Sequence, residues 1–160
     1  MIDIGKLTKI PKDVRPEWAN GTNKGGVITW DDDEQKIADW VDSFDLLAHH
    51  QKTAKQRLVE QFNTAMEGLE KAYPEAEKRT FIIQENEARS YQLDGTLPQT
   101  LTTIASLRGK PLADVAAKVI EKADAYKGQV GNLIGMRQAQ EDVIDAATDW
   151  QVVQQINLGV

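Results

Sequence analysis

The side chains best suited to chemistry in this sequence are a run of carboxylates, one histidine pair and two acidic pairs on helical stretches. Asp31-Asp32-Asp33-Glu34 carries enough oxygen for a divalent cation. A calcium loop, however, spreads its ligands over about twelve residues around a central Gly and ends on a Glu, and that spacing is missing. The run instead precedes an apolar-periodic segment. There, carboxylates satisfy free amides and complement the positive end of a helix dipole. Asp32 and Gln35 have capping-box spacing. His49 and His50 are adjacent, so on a helix they project about 100° apart, whereas metal-binding pairs sit three or four residues apart. They read as structural, and no GxSxG nucleophile pattern accompanies them. Glu85 and Glu87 cannot face one another on one helix, and Glu85 with Arg89 is an i, i+4 ion pair. Asp142 and Asp145 could share a cation only with help from another helix, and the Glu-x-x-His pairs of di-metal bundles are absent. GQVGNLIG at 128–135 follows no strand and lacks the Lys-Ser/Thr ending of a phosphate loop. The expectation is a protein that is not an enzyme, with no cofactor and no metal. A metal-assisted hydrolase is the weakest alternative.

Composition narrows the class. A length of 160 residues suits one domain, or one domain with an arm. Apolar residues are 41% but aromatics only 6%, which points to a core of Leu, Ile, Val and Ala on helices. The net charge of −6 and the lack of any Lys/Arg run argue against nucleic acid, whose phosphates call for a basic face. With no cysteine, disulfides, thiolate metal sites and Cys nucleophiles are excluded. No stretch approaches the ~20 apolar residues of a membrane span, and no apolar segment of signal-peptide length opens the chain. A soluble protein without a membrane partner is expected.

The elements follow from periodicity. Residues 1–33 read as an extended N-terminal arm, interrupted by Pro11 and Pro16 and rich in turn residues from Asn20 to Gly26. Val27–Trp30 is a short β-prone run that must pair with Ile2–Ile10, pair with another chain, or stay extended. Trp18 and Trp30 make the arm a docking element, on the protein's own body or on a partner. Residues 34–73 read as one long helix, with a heptad seam at Val41, Phe44, Ala48, Gln51, Lys55, Leu58, Phe62, Ala65, Leu69 and Ala72. Residues 74–160 read as a C-terminal helical domain. Pro74 opens a helix to Leu93 that places Phe81, Ile82, Glu85, Ala88, Arg89 and Gln92 on one side and leaves Ile83 and Tyr91 off it. Gly95 caps this helix. Thr96 caps a short helix with Leu101, Ile104, Ala105 and Leu107 inward, which Gly109 closes. Pro111 opens the last long helix, with Leu112, Ala116, Val119, Ala123, Tyr126, Val130 and Leu133 in a seam. Gly128, Gly131 and Gly135 interrupt it, and predict either the close approach of another helix or a kink. The tail VVQQINLGV is a docked segment or a contact strand. The fold class is mainly α: long helices in a hairpin or bundle, with an extended, short-stranded arm.

One stretch also carries a likeness. QENEARSY ending in Asp94-Gly95, then TLPQTLTTIASLRG at Thr96–Gly109, VIEKADAY at Val119–Tyr126 and GNLIGMRQAQEDVIDAA at Gly131–Ala147 resemble the C-terminal region of small tail proteins of phages and prophages, of the tail-fibre-associated or tail-assembly type. The resemblance implies a non-enzymatic role by protein–protein association in tail or tail-fibre assembly. Its partner would be a tail or tail-fibre protein, met in the host cell cytoplasm. The alternative is a structural component retained in the virion tail or baseplate, linking tail and fibre subunits. A homo-oligomer is expected. Val41, Phe44, Leu58, Phe62 and Leu69, with Leu112, Val119, Tyr126 and Val130 as a second set, are the candidate contact positions. Burial inside the chain's own bundle is the competing reading of all nine. Trp18 and Trp30 complete the partner-binding candidates.

Overall fold

The computed structural model describes residues 2–19, 21–24, 27–30, 33–71 and 73–160, without the side chains of Trp18, Asn23, Lys24, Val27 and Ile28. Asp31, Asp32 and Ala72, to which the sequence assigned capping and seam roles, lie outside the described residues, as do Asn20, Gly25 and Gly26. The described chain is mainly α, with eight helices, two 3-10 turns and one two-stranded hairpin. It divides into two units. The first comprises residues 1–54 with 146–155, and the second comprises 55–145 with 156–160.

In the first unit the arm is not simply extended. Helix α1 (Ile4–Lys9) forms over Asp3, whose carboxylate accepts the Lys6 amide at 2.9 Å. The Arg15 guanidinium donates to the carbonyls of Leu7 at 2.7 Å and Ile10 at 2.9 Å, which closes the far end of α1. The prolines act only after it, in the 3-10 turns Lys12–Val14 and Glu17–Ala19. Strand β2 (Val27–Trp30) pairs antiparallel with β1 (Gly21–Lys24), Gly21 opposite Trp30, and not with Ile2–Ile10. Two strands separated in sequence by Gly25-Gly26 match the shortest hairpin link, which makes β1 a far nearer partner than Ile2–Ile10. A Cβ at Gly21 would lie 2.8 Å from the Trp30 ring, so only glycine fits there.

Helix α2 (Glu34–Ser43) starts on Asp33 rather than Asp32; the Asp33 carboxylate accepts from Gln35 at 2.7 Å. The expected single helix from Glu34 is in fact two. Phe44 turns extended at φ −69°, ψ 119°, and α3 (Leu46–Glu70) begins anew under Asp45, which accepts the Ala48 amide at 2.9 Å. Heptad spacing cannot reveal this break, because it removes no apolar position from the seam. The first core holds Ile2, Leu7, Ile10, Ala19, Ile37, Ala38 and Val41, with Trp30, Trp40, Phe44 and Leu46 packed around it. Helix α8 (Trp150–Gln155) belongs to this unit and buries Val153.

The second unit contains most of α3, then α4 (Glu75–Lys78), α5 (Phe81–Asp94), α6 (Gln99–Arg108) and α7 (Leu112–Ala146). Pro74 precedes the one-turn α4 instead of opening a helix to Leu93, because the chain turns at Arg79 and Thr80 before α5. Gly95 at φ 76° and Gly109 at φ 58° end α5 and α6 in the left-handed conformation, as expected. The second core is Ala88, Leu101, Ala105, Val115 and Ala116, ringed by Tyr91, Ile104, Leu112, Val119 and Ile120. Ala88 faces in, on the expected side of α5, but Ile82 from that side faces out and Tyr91, placed off it, faces in. Leu107 also points to solvent rather than inward.

Helices α3 and α7 run antiparallel. Lys55 pairs with Asp145 at 2.6 Å, Arg137 lies 5.6 Å over the Phe62 ring, and the Tyr126 hydroxyl donates to Glu70 at 3.0 Å. Helix α7 passes through Gly128, Gly131 and Gly135 without interruption, and a Cβ at any of them would meet nothing within 4 Å. The expected close approach of another helix does not occur. At 100° per residue these three glycines fall on the face opposite Leu133 and Ile144, the buried face.

Candidate interaction surface

The residues singled out by periodicity divide between the units and serve mainly as internal packing. Val41 and Leu58 are fully buried, and Phe44, Leu112 and Val119 pack against the two cores. Phe62, Leu69, Tyr126 and Val130 are half-buried along α3 and α7. Trp30 packs against the first core, and the Trp18 side chain lies outside the described residues.

The apolar side chains left open to solvent lie elsewhere. In the second unit Ile82, Leu93, Leu97 and Leu107 are 74%, 86%, 78% and 84% exposed. Ile82 and Leu93 are eleven residues apart, three turns, and share the face of α5 turned away from Ala88. Leu97 lies in the α5–α6 connection and Leu107 in the last turn of α6. Single exposed leucines are ordinary, and four large apolar side chains open to solvent on one short helical hairpin make it the candidate surface among the described residues.

That hairpin is fixed by charge and capping. The Glu85 carboxylate accepts from Arg89 at 2.7 Å and from Lys127 of α7, and Arg89 also pairs with Asp124 of α7. The hydrogen bonds of Lys127 and Arg89 hold the Glu85 carboxyl below its ordinary range. Glu87 bridges α5 to α6 by accepting the Thr100 amide at 3.1 Å and the Leu101 amide at 3.0 Å. Burial raises the Glu87 pKa, but the amides of Leu101 and Thr100 outweigh it and the carboxyl is held low. The cap of α6 is thus a carboxylate from the preceding helix, and Thr96, the expected cap, is not used. Exposed leucines sit on a scaffold whose orientation is set by at least four polar contacts.

The chemistry-bearing residues are otherwise engaged. Among the described residues no group of three or more His, Asp or Glu is placed to hold a metal. Asp145 is taken by Lys55. Glu70 is held low by the hydrogen bonds of Lys78 and Tyr126, and burial with the Glu70 contact pushes the Tyr126 hydroxyl up. His50 is buried, stacked on Trp150 with ring centroids 5.0 Å apart, and edge-on to His49. No described helix is long and apolar enough to cross a membrane.

Two side chains that anchor the tail carry no signal in the sequence pattern. Arg57 donates to the Ile156 carbonyl at 2.6 Å, and Gln61 accepts the Leu158 amide at 2.8 Å. They hold the segment after α8 in the second unit, with Ile156 and Leu158 buried. The tail is docked rather than paired as a strand. Both anchors sit off the seam of α3, where periodicity assigns solvent, so only the apolar pattern of INL hinted at them.

Residues 121–157 match the model of the HI1402 helical domain, a likeness covering less than a quarter of the chain and running from Glu121 within α7 through α8 to Asn157. No curated protein and no solved structure matches the chain.

Proposed function

We propose that this protein acts without catalysis, by protein–protein association in phage tail or tail-fibre assembly, and that the α5–α6 hairpin is its contact surface for a tail or tail-fibre protein. The observation that carries the reading is the exposure of Leu93, Leu97 and Leu107 on a hairpin locked by Glu85 and Glu87. All three leucines lie within Gln84–Gly109, part of the stretch that resembles small phage tail proteins. Displaying leucines to water is unfavourable by roughly 25 cal/mol per Å² of apolar area, and a partner that covers them recovers that term. The protein works in the host cytoplasm during assembly and leaves the finished particle.

The test is co-expression with a complete tail gene cluster, followed by mass spectrometry of purified particles and of complexes captured on a tagged copy of the chain. Co-purification with a tail or fibre protein and absence from particles is the expected result. A Leu93→Ser, Leu97→Ser, Leu107→Ser variant of unchanged helicity should lose the captured partner. Presence in particles at a fixed ratio would make the protein a retained tail or baseplate component instead. Capture of no tail protein by either chain would overturn the reading.

A further inference from the structure

The segment Ile156–Val160 is held as a bound peptide is held. Outside any helix or strand, its main chain is read by two side chains of α3, Arg57 on the Ile156 carbonyl and Gln61 on the Leu158 amide, and Ile156 and Leu158 are buried while Asn157 between them and Val160 beyond them are exposed. Main-chain hydrogen bonds combined with pockets for every second side chain define recognition of an extended peptide. The slot therefore selects an apolar-x-apolar segment with free backbone groups, and the INL of this chain is one that fits.

The covalent path to that segment contains a joint that no helix breaker enforces. Helix α7 ends at Ala146 and α8 begins at Trp150, yet Ala147-Thr148-Asp149 contains neither Gly nor Pro. The joint is held by Asp149, which accepts the Gln151 amide at 2.8 Å, and by the docking of the chain beyond it: Trp150 on His50, buried Val153, and the segment in its slot. The apolar spacing of α7 runs on through the joint as Ile144, Ala147 and Trp150. The same residues thus have a competing conformation, one continuous helix. Straightening would carry Ile156 about 18 Å beyond Ile144 at 1.5 Å per residue, away from its own slot. The emptied slot and the freed segment are then complementary only between two chains, the condition for exchange of an identical element between protomers.

We propose that the Arg57–Gln61 slot is a peptide-binding site whose occupant in the assembled protein is the Ile156–Leu158 segment of a second copy of this chain, delivered by opening of the Ala147–Asp149 joint. The slot and the joint operate with or without a role in tail assembly. Docking within one chain benefits from an effective concentration in the millimolar range, so exchange accumulates at high local chain concentration.

The test pairs two full-length chains. One, tagged, keeps its segment and loses its slot through Arg57→Ala and Gln61→Ala. The other, untagged, keeps its slot and loses its segment through Leu158→Asp. Each is first checked for unchanged helicity, and Ile156→Ser replaces Leu158→Asp if that chain is unfolded. The expected result is capture of the untagged chain by the tagged one, with at least tenfold less capture between two chains that both carry Leu158→Asp. Absence of capture in the complementary pair, or equal capture in every pairing, would overturn the proposal. A labelled synthetic peptide spanning Asp149–Val160 provides a second readout. It should bind the Leu158→Asp chain saturably and lose that binding when Arg57→Ala is added. Peptide binding without capture would show a slot that takes no second copy, which also overturns the proposal.

Discussion

At the scale of single residues the polar groups that matter are those that close helix ends. Glu87 serves α6 from a different helix, so its removal should act on the α5–α6 junction and not on α5 itself. Glu87→Ala is expected to lower stability by about 1 kcal/mol, the usual cost of a lost N-cap, in a chemical denaturation experiment. Its pH dependence has a fixed sign. The folded carboxyl titrates below its ordinary range, so its contribution is full above that range and is lost as pH falls through the depressed value. The difference between the parent and Glu87→Ala should therefore shrink in acid. The three open glycines of α7 predict the opposite direction. A methyl group at Gly131 meets nothing within 4 Å, so Gly131→Ala should raise stability by about 1 kcal/mol and raise Tm in a thermal melt. Legibility at this scale followed sequence distance. Gly95 and Gly109 could be read because the residue that stops a helix sits next to it. Glu87, Arg57 and Gln61 could not, because each acts on backbone far along the chain and each occupies a position that periodicity assigns to solvent.

At the scale of elements, apolar spacing recovered the helices and missed their ends. The stretch from Glu34 onward has one seam but two helices, since Asp45 offers the chain a second start at no cost in apolar contacts. Asp45→Ala should weaken the start of α3 by about 1 kcal/mol, seen as faster amide exchange over Leu46–His50. Side assignment on α5 held for Ala88 and missed Ile82 and Tyr91. Only Ala88 is fully buried on that helix, so a small residue rather than the bulky Ile82 marks the inward face. A pH response is expected of helix α8. Burial, and then the neighbouring His49, lower the His50 pKa from its ordinary value near 6.5. The groups that face the ring are His49 on α3, and Trp150 and Gln154 on α8. The Trp150 face offsets part of the imidazolium's desolvation without matching it. A depressed folded pKa means that stability is fully present above about 6.5 and is lost as pH falls below it. Amide protection factors in α8, corrected for the intrinsic exchange rate, should fall as pH drops below about 6.5, and His50→Gln should flatten that profile.

At the scale of the whole molecule, the chain separates residues that hold it together from residues it displays. Val41, Leu58, Leu112 and Val119 belong to the first group, so Leu58→Ala should cost about 2–5 kcal/mol by leaving a cavity. Leu93, Leu97 and Leu107 belong to the second, and serine at those positions should change stability by no more than about 0.5 kcal/mol each while removing association. Sequence periodicity supplied the first group because core residues repeat with the helix. It could not supply the second, because an exposed leucine and a buried one look alike until the packed face is known. The joint at Ala147–Asp149 gives the molecule a further property. Exchange through it requires a chain to release α8 and the segment after it before another chain captures them, so the exchanged form is reached slowly and left slowly. Two solutions of identical composition would then differ according to whether they had once been concentrated. Dilution would return them to one another only over the lifetime of the opened joint.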